Sequence, residues 1–535
     1  MIIPKALKLW DFLFFILLLG ISFLYSYEYI LFMRPCSIHQ WRQCDSLSIT
    51  LNYYKQGMHF FTPALNNCGA TGDGVTCPTE FPLIYYTVAL LWKVLGYHEY
   101  IFRLLDTIIG FAGLYALFRL TKELIQDGAW ALMVSLLLFT SPIFAVYTNN
   151  FIPDTSALSI AIIAWYFFVR YYKTKRLFFF NLSVLFFLLA GLIKITALLS
   201  FVPLIIIFIW ELLKKNKIPE AKIFINPVKQ GVSIFLLVLI VSAWVVYSAN
   251  YRNSHNAGFF LTIQHPIWEF DLHAIHDTID KLYYVLLPQY FYKPFIFFIL
   301  ALFLILLINY KKMNHFYYWL ILLVFAGCIF YIMLWFSNFR VHDYYLINVL
   351  IFIPTTLLSL LVFLKERYYA LFNSSLLKIA FALILGWNIY YCAVQTNVRY
   401  FPKTPFIANT FILSQDEINF WNWFHENYQN RTKALETITP YLRSLGISRD
   451  DKVISIPDQS PDITLYLMDQ KGFSDFGSSG GLDNSNEIKE FIHAGTKYLI
   501  ISEPSMLNDD WLKPYLKNKI GSYQNVTIYN LRNLD

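Results

Sequence analysis

The polar cluster at residues 39–46 has the residue types needed to remove a proton beside an anionic leaving group. It reads His-Gln-Trp-Arg-Gln-Cys-Asp-Ser, and Arg42 and Asp45 are separated by one turn of a helix. A carboxylate can take the proton of an attacking hydroxyl, and a guanidinium can stabilise a departing phosphate. The cluster therefore predicts a base at Asp45 and an anion contact at Arg42. The alternative is a salt bridge between the two that only orders the segment.

Two further charged residues stand beside long apolar runs. Asp154 follows Pro153 at the start of a predicted helix, where an ordinary helix-capping role is the alternative. Lys194 follows Gly191-Leu192-Ile193, and a lysine among apolar residues is costly unless it has a partner or reaches the interface. We therefore expect Lys194 to contact an anionic substrate group, with snorkelling as the alternative.

Residues 340–345, Arg-Val-His-Asp-Tyr-Tyr, precede a late apolar run. Arg340 and His342 can bind phosphate oxygens, and Asp343 and Tyr344 would belong to the same substrate-binding segment. The alternative is an aromatic belt with a basic anchor.

The composition places these residues in a membrane protein. Of 535 residues, 57% are hydrophobic and 14% are charged, whereas a soluble domain has about 25% charged residues. The Lys and Arg residues cluster between apolar runs, so the net charge of +7 reflects membrane topology and not nucleic-acid binding. Neither a Walker loop nor a dinucleotide fingerprint is present in the sequence, which argues against a soluble nucleotide as substrate.

Apolar runs long enough to cross a hydrocarbon core of about 30 Å recur along the chain. About eleven are predicted, approximately at 9–32, 100–120, 129–147, 155–172, 177–193, 197–213, 229–249, 293–310, 316–336, 344–364 and 376–396. The first is read as an uncleaved anchor, because it is too long for a signal peptide. The shorter run Phe81 to Gly96, interrupted by Lys93, predicts an interfacial helix. The predicted fold class is an α-helical polytopic membrane protein with a small C-terminal extracytoplasmic α/β domain.

The distribution of basic residues orients these spans. Lys and Arg occur on the side of the N-terminus, at residues 122, 170–176, 214–217, 311–312 and 365–367, which predicts a cytoplasmic N-terminus in the inner (cytoplasmic) membrane. Three segments are then external: 33–100, 250–292 and everything after residue 396. We therefore predict a transmembrane domain at 1–396 and an extracytoplasmic domain at 397–535. Strands are expected there at 452–456, 497–501 and 526–531, with a helix at 487–493.

Four of the six cysteines, Cys36, Cys44, Cys68 and Cys77, lie in the first external segment and predict disulfides. Cys68 with Cys77 and Cys36 with Cys44 are the near neighbours, and the spacing matches no common zinc pattern. His and Asp residues at 265–277 alternate with apolar residues, as in an amphipathic interfacial helix. No metal ligand is assigned.

Together these motifs resemble the GT-C glycosyltransferases, the superfamily that contains the protein O-mannosyltransferases and the aminoarabinose transferase that modifies lipid A. The similar segments are Trp41-Arg42-Gln43-Cys44-Asp45, close to an Rgt-like bacterial branch; Thr79-Glu80-Phe81-Pro82-Leu83, close to the family's Pro-Pro-Leu element; and His342-Asp343-Tyr344-Tyr345-Leu346. The sequence departs from the family at Glu80, where several relatives have a lysine, and it has only one of the two prolines.

The resemblance implies a membrane glycosyltransferase that moves a sugar from a polyprenyl-phosphate donor to an acceptor hydroxyl on a lipid, glycan or protein, at the outer membrane face. It implies Asp45 as catalytic base and Asp154 as the second acidic position. It implies donor phosphate contacts from Lys194, Arg340 or Arg42. Glu80 would be a carboxylate facing the acceptor or a cation, or else a helix-capping residue. The sugar, the acceptor and the need for a divalent cation stay open.

Other classes of function make different demands on the sequence. A transporter or lipid flippase would need polar residues near mid-membrane, broken helices or repeat symmetry, and no inverted repeat is evident in the sequence. A receptor or assembly protein would leave Lys194 and the segment around His342 without a purpose. An O-antigen ligase or polymerase shares the chemistry and differs in its donor.

Overall fold

The computed structural model describes residues 5–69, 80–213, 222–255, 265–476 and 485–532. Their contacts group into two compact units, each built from three stretches of chain. The first unit comprises Met1–Phe32, Arg103–Trp244 and Ile263–Asn397, and the second comprises Met33–Phe102, Val245–Thr262 and Val398–Asp535. The second unit thus combines the segment after the first helix with the C-terminal domain.

The first unit is helical, as expected for a chain whose apolar segments must satisfy their own backbone groups. Its α-helices are Lys5–Leu24, Tyr27–Ile30, Tyr100–Ile125, Gly128–Leu138, Pro142–Thr148, Asp154–Thr174, Leu177–Ile193, Val202–Leu213, Pro227–His255, Leu272–Lys281, Leu287–Tyr290, Lys293–Ile308, His315–Leu334, Phe352–Arg367, Tyr369–Phe372 and Ser375–Tyr400. Shorter 3-10 or π segments are Ile195–Ser200, Ile267–Glu269, Leu282–Leu286, Tyr310–Lys312, Phe336–Arg340 and Asp343–Ile351. The helices beginning at Tyr100, Pro227 and Ser375 each extend across the division between the units.

Within the described ranges, six helices are long and apolar enough to cross a membrane, judged by length and composition. They are Tyr100–Ile125, Ile195–Leu213, Pro227–Tyr251, His315–Leu334, Asp343–Arg367 and Ser375–Tyr400. Two pairs of helices meet the same test together but are bent, Gly128–Leu138 with Pro142–Thr148 by 77° and Leu272–Tyr290 with Lys293–Ile308 by 92°. Pro142 and Pro294 lie in the first turn after each bend, where a proline cannot continue the preceding helix.

These eight candidates do not confirm the predicted eleven spans. The other three predicted spans are helical, but the apolar part of the first helix, Leu9–Leu24, and helix Leu177–Ile193 are shorter than the ~20 residues of a full crossing. The third, Asp154–Thr174, has a carboxylate in its first turn and a lysine in its last turn.

Two helices of the first unit approach each other closely. A Cβ atom on Gly113 would lie 2.7 Å from the Cα atom of Ser159, so the backbones of helix Tyr100–Ile125 and helix Asp154–Thr174 are in close contact at this point. Asp106 and Ser156 form a hydrogen bond of 2.6 Å between the same two helices. Small and hydroxyl-bearing residues of this kind allow membrane helices to pack backbone against backbone.

The second unit contains a mixed five-stranded sheet. The strands are β1 (Val453–Ile456), β2 (Gly472–Ser474), β3 (Tyr498–Ile501), β4 (Lys519–Tyr523) and β5 (Val526–Asn530), in the order β2-β1-β3-β5-β4. The β1 strand pairs in parallel with β2 and β3, whereas β5 pairs antiparallel with β3 and β4. Its core consists of Ile454, Ile456, Ile488, Leu499, Ile501, Leu512, Tyr515, Tyr529 and Leu531. The predicted small C-terminal sheet is confirmed, and its three predicted strands are β1, β3 and β5.

Helices complete the second unit. They are Gln40–Gln56, Leu83–Leu95, Pro405–Ala408, Gln415–Arg431, Thr439–Ser444, Ile463–Leu467 and Ser485–His493, with 3-10 turns Lys433–Glu436, Pro504–Asn508 and Lys513–Tyr515. Helix Leu83–Leu95 lies where the interfacial helix was predicted. Asn67 forms a parallel bridge with Gly472, so the chain after helix Gln40–Gln56 pairs with the outer edge of β2.

Candidate active site

Asp45 lies on a helix that is polar in sequence but buried in the structure. Helix Gln40–Gln56 is buried at every residue from Arg42 to Tyr53. The hydroxyls of Ser46 and Thr50 donate to the backbone carbonyls one turn earlier, at 3.0 and 2.8 Å, so the helix satisfies part of its own polar surface. A polar helix kept away from water holds its side chains in a setting of low dielectric constant.

The Asp45 carboxyl is fully buried, and neither oxygen has a hydrogen-bond partner within the described part of the chain. Burial raises the pKa of this carboxyl to about 8, an effect opposed by Arg42 and reinforced by Asp458 and Glu80. Such a pKa lets the group hold or accept a proton near neutral pH, as a general base requires. The alternative of a salt bridge with Arg42 that only orders the segment is not what the geometry shows.

Arg42 forms its ion pair with Glu80. One guanidinium nitrogen donates to Glu80 Oε2 and also to the Tyr85 hydroxyl, at 3.0 Å for the latter. The Tyr85 hydroxyl in turn donates to Glu80 Oε2 at 2.5 Å. Glu80 is therefore held against an arginine and a tyrosine, so it balances the charge of Arg42 and is not a solvated helix cap.

The second group of predicted residues lies in the other unit. Lys194 has an extended backbone between helix Leu177–Ile193 and the 3-10 turn Ile195–Ser200, so its side chain leaves the chain at a helix break. Its Nζ lies 3.2 Å from Asp154 Oδ1, with the lysine side chain 14% exposed and the carboxylate 1% exposed. Asp154 is the first residue of its helix and directly follows the N-cap residue Pro153. The two predicted residues therefore form one ion pair.

The segment His342–Tyr345 surrounds this pair with aromatic rings. Lys194 Nζ lies 5.9 and 5.4 Å from the ring centroids of Tyr344 and Tyr345, distances at which a cation is attracted to a ring face. The His342 ring lies 5.3 Å from the ring of Tyr344. The structure therefore brings Lys194, Asp154, Tyr344 and His342 together.

Asp343 and Arg340 differ from their neighbours in this segment. The buried Asp343 accepts a hydrogen bond from the Tyr147 hydroxyl, so its carboxylate is engaged within the helices. Arg340 is partly exposed and pairs with Asp277 at 2.6 Å. Like Lys194, Arg340 is paired with a carboxylate, and its predicted phosphate contact stays a prediction.

Four residues that the sequence did not point to contribute to these clusters. Tyr85 and Tyr147 bind predicted site residues, and their only signal is their place in aromatic runs. The charge of Asp458 raises the pKa of Asp45. The charge of Asp45 in turn raises the pKa of Asp462. They follow Asp45 by about four hundred positions, so no local pattern links them to it.

The cysteine prediction is partly wrong. Cys44 is a free, buried thiol, so Cys36 and Cys44 are not bonded to each other, and Cys68 is also a free thiol. Cys77 lies outside the described residues. Among the described residues, no group of three or more His, Cys, Asp or Glu side chains is arranged to hold a metal ion.

Comparison with known proteins supports the resemblance found in the motifs. Residues 78–247 match the family model described as dolichyl-phosphate-mannose-protein mannosyltransferase, a stretch that contains Glu80, Asp154 and Lys194. The structure is similar to that of ArnT from Cupriavidus metallidurans in the apo state, with a TM-score of 0.57, 10% identity and 98% of each chain covered. These findings confirm the resemblance to the GT-C glycosyltransferases.

A second similar structure is the Archaeoglobus fulgidus oligosaccharyltransferase in complex with Zn and sulfate, with a TM-score of 0.49 and 12% identity. The match covers 94% of the present chain and 72% of that chain. Among curated protein sequences, none matches the chain.

Proposed function

We propose that this protein is a membrane glycosyltransferase that transfers a sugar from a polyprenyl-phosphate carrier to an acceptor hydroxyl at the outer face of the cytoplasmic membrane. The observation that carries the proposal is the Asp45 carboxyl, which is fully buried and has no hydrogen-bond partner within the described part of the chain. Folding alone gives no reason to keep such a group, because an unsatisfied buried polar group costs roughly 1–3 kcal/mol. The family match over residues 78–247 supports the same reaction class.

In the proposed reaction, Asp45 removes the proton of the acceptor hydroxyl as the hydroxyl oxygen attacks the anomeric carbon of the sugar. The bond between that carbon and the phosphate oxygen breaks, and the carrier leaves as polyprenyl phosphate. A cation that contacts the phosphate oxygens stabilises the charge that develops on this leaving group. The proton moves to Asp45 and is later released to water.

Lys194 is the favoured contact for the carrier phosphate. Its ammonium group is held by Asp154 and by aromatic rings but keeps some exposure, so it can accept a further anion without a large movement. Arg42 and Arg340 are likewise paired with carboxylates and stay the alternative contacts. His342 and Tyr344 would line the sugar site next to Lys194.

The test is transfer from a radiolabelled polyprenyl-phosphate sugar, with purified protein in lipid nanodiscs and a panel of lipid, glycan and peptide acceptors. We expect a labelled product that is absent with Asp45→Asn, and a parallel reaction with EDTA reports whether a divalent cation is needed. Failure to transfer any sugar from a series of such donors, by protein that is folded and monodisperse, would reject the proposal.

A lipid or glycan transporter is the second candidate, because the two bent helix pairs are of the kind that transporters use. The two functions differ in product. A transporter would move an intact labelled lipid across a vesicle membrane without forming a new glycosidic bond. The same donors, incorporated into vesicles and followed by chromatography and by a membrane-impermeant quencher, distinguish the two.

A further inference from the structure

The turn from Asp458 to Asp462 in the C-terminal domain lies against the helix that carries Asp45. Asp458 accepts hydrogen bonds from the backbone of Ser460 at 2.9 Å and of Thr464 at 2.7 Å, so it fixes the turn and the start of helix Ile463–Leu467. That short helix packs against helix Gln40–Gln56. The turn is therefore a defined structure and not a free loop.

Asn66 links the turn to the Asp45 helix. Its backbone N–H lies 2.9 Å from Ser48 Oγ and 3.3 Å from Asp462 Oδ2. Ser48 is three residues after Asp45, so the link is made one helical turn from the candidate base. Arg449 adds a second link, because it donates to Asn52 and Asn66 at 2.9 Å each.

The charged and titratable groups that act on Asp45 come from three parts of the second unit. Arg42 and Cys44 lie on the same helix, Glu80 precedes helix Leu83–Leu95, and Asp458 and Asp462 belong to the turn. Burial raises the pKa of Asp458 to about 6, against hydrogen bonds from Ser460 and Thr464 that lower it. Burial and the neighbouring carboxylates raise the pKa of Asp462 well above its usual range, despite a hydrogen bond from Ser48. Near pH 8, Asp458 is therefore ionised.

We propose that the Asp458–Asp462 turn is a positioning element for Asp45, in which Asp462 holds the Asp45 helix through Asn66 and Asp458 contributes a negative charge to the electrostatic environment of the Asp45 carboxyl. The negative charge opposes loss of the Asp45 proton and so makes its carboxylate a stronger base. The C-terminal domain is then part of the catalytic apparatus, and the catalytic meaning of this role rests on the proposed function.

The test is infrared titration of the full-length protein, which does not depend on turnover. The C=O stretch of protonated Asp45 is identified as the band that is lost in Asp45→Asn. We expect it to disappear with a midpoint near pH 8 in the wild type, and at a pH lower by about half a unit or more in Asp458→Asn. Asp458→Glu should restore the wild-type midpoint. The matched control is Asp510→Asn, which removes a charge from an almost fully exposed side chain in the same domain.

If Asp458→Asn does not fold, a measurement on the wild type alone still tests the proposal. Ionisation of Asp458 should displace the frequency of the Asp45 band with a midpoint near pH 6, because a nearby charge changes the vibration of a carbonyl group. An Asp45 midpoint that is identical in the wild type and in folded Asp458→Asn would overturn the proposal. So would a band that does not move between pH 5 and pH 7.

The infrared result separates this proposal from the proposed function. If no donor supports transfer but the Asp45 midpoint responds to Asp458, the coupling stands and the glycosyltransferase assignment fails. If transfer is observed, the acid limb of kcat/KM against pH should shift in Asp458→Asn by the same amount as the infrared midpoint. A turn that only supports folding would lower activity equally at every pH.

Discussion

At the scale of single residues, the main feature is the Asp45 carboxyl, which is buried without a hydrogen-bond partner among the described residues. Burial disfavours the ionised form of a carboxyl, and Arg42, whose charge favours that form, is already bound to Glu80. The result is a group that is protonated over part of the physiological pH range and ready to exchange its proton. Perturbed carboxyls of this kind cluster at functional sites.

Replacing Asp45 by Asn tests the base directly. Asn keeps the size of Asp but cannot accept a proton, so we expect transfer to fall by about 10²- to 10⁴-fold while donor binding is retained. In the wild type, the base must be deprotonated to act, so kcat/KM should rise with pH and level off above about pH 8. Activity in Asp45→Asn above about a tenth of the wild-type value would contradict this role.

The same substitution should have the opposite effect on stability. The pKa of Asp45 is about 8 in the folded protein and about 3.9 when unfolded, so the folded state binds the proton more tightly. The free energy of unfolding of the wild type therefore decreases as the pH rises from about 4 to about 8. We expect Asp45→Asn to melt at a higher temperature than the wild type at pH 8, with a difference that shrinks towards pH 4. Melting curves at four pH values give the answer, and a constant difference would show that Asp45 is not the titrating group.

Lys194 can be tested apart from the ion pair it forms. Lys194→Met leaves the buried carboxylate of Asp154 without its lysine, which we expect to destabilise the protein by roughly 3 kcal/mol or more. Adding Asp154→Asn removes that charge and should recover most of the stability. If Lys194 binds the carrier phosphate, the double variant stays folded but has a raised KM for the donor. Full recovery of both stability and KM would mean that the pair is structural, and the Lys378–Asp127 pair provides the matched control.

At the scale of helices and strands, the sequence was informative where the signal is local. All eleven predicted spans correspond to helical segments, because a long run of apolar residues is by itself a signal for a buried or membrane-embedded helix. The break at Lys194 lies between the predicted spans 177–193 and 197–213. The bends of 77° and 92° were not predicted, because they depend on packing with neighbouring helices. The β2 and β4 strands were also missed. The first has three residues, and the second, at the sheet edge, is partly exposed and lacks an apolar pattern.

The close contact of helices Tyr100–Ile125 and Asp154–Thr174 makes Gly113 sensitive to substitution. The added Cβ of Gly113→Ala would overlap the backbone of Ser159, which no side-chain rotation can relieve, so we expect a loss of about 1–3 kcal/mol and a lower melting temperature. Gly386→Ala is the control, because nothing lies within 4 Å of its added Cβ atom. Equal melting temperatures for the two variants would show that the helices can separate at no cost.

At the scale of the whole molecule, the sequence predicted those parts of the candidate site that lie within one short segment of the chain. The motifs around Asp45, Asp154, Lys194 and His342 each carry a local signal, and the structure brings three of them together. The pairing of Asn66 and Asn67 with residues beyond 460 brings distant parts of the chain together. Local patterns do not encode contacts over such a separation, and so the contribution of Asp458 and Asp462 emerged only from the fold.

Orientation in the membrane depends on how many helices cross it. If all eleven predicted segments cross, eight precede Lys312 and the chain has returned to the side of the N-terminus there, while Asn397 lies on the opposite side. If only the eight candidates that satisfy the length and composition test cross, five of them precede Lys312. Lys312 then lies on the side opposite the N-terminus, and Asn397 lies on the side of the N-terminus. The Lys and Arg clusters favour the first arrangement, because Lys311 and Lys312 should be cytoplasmic.

Fusions of a reporter that is active only outside the cytoplasm distinguish the two arrangements. We expect activity after Asn397 and none after Lys312, and a reporter that works only in the cytoplasm should give the reverse pattern. A fusion after Lys365 is the control, because that basic cluster is also predicted to be cytoplasmic. The opposite pattern at both positions would mean that the three weaker helices do not cross, and it would move the C-terminal sheet to the cytoplasmic side. The donor would then have to be presented from the inside, so the proposed site of transfer, and not only the topology, would have to be revised.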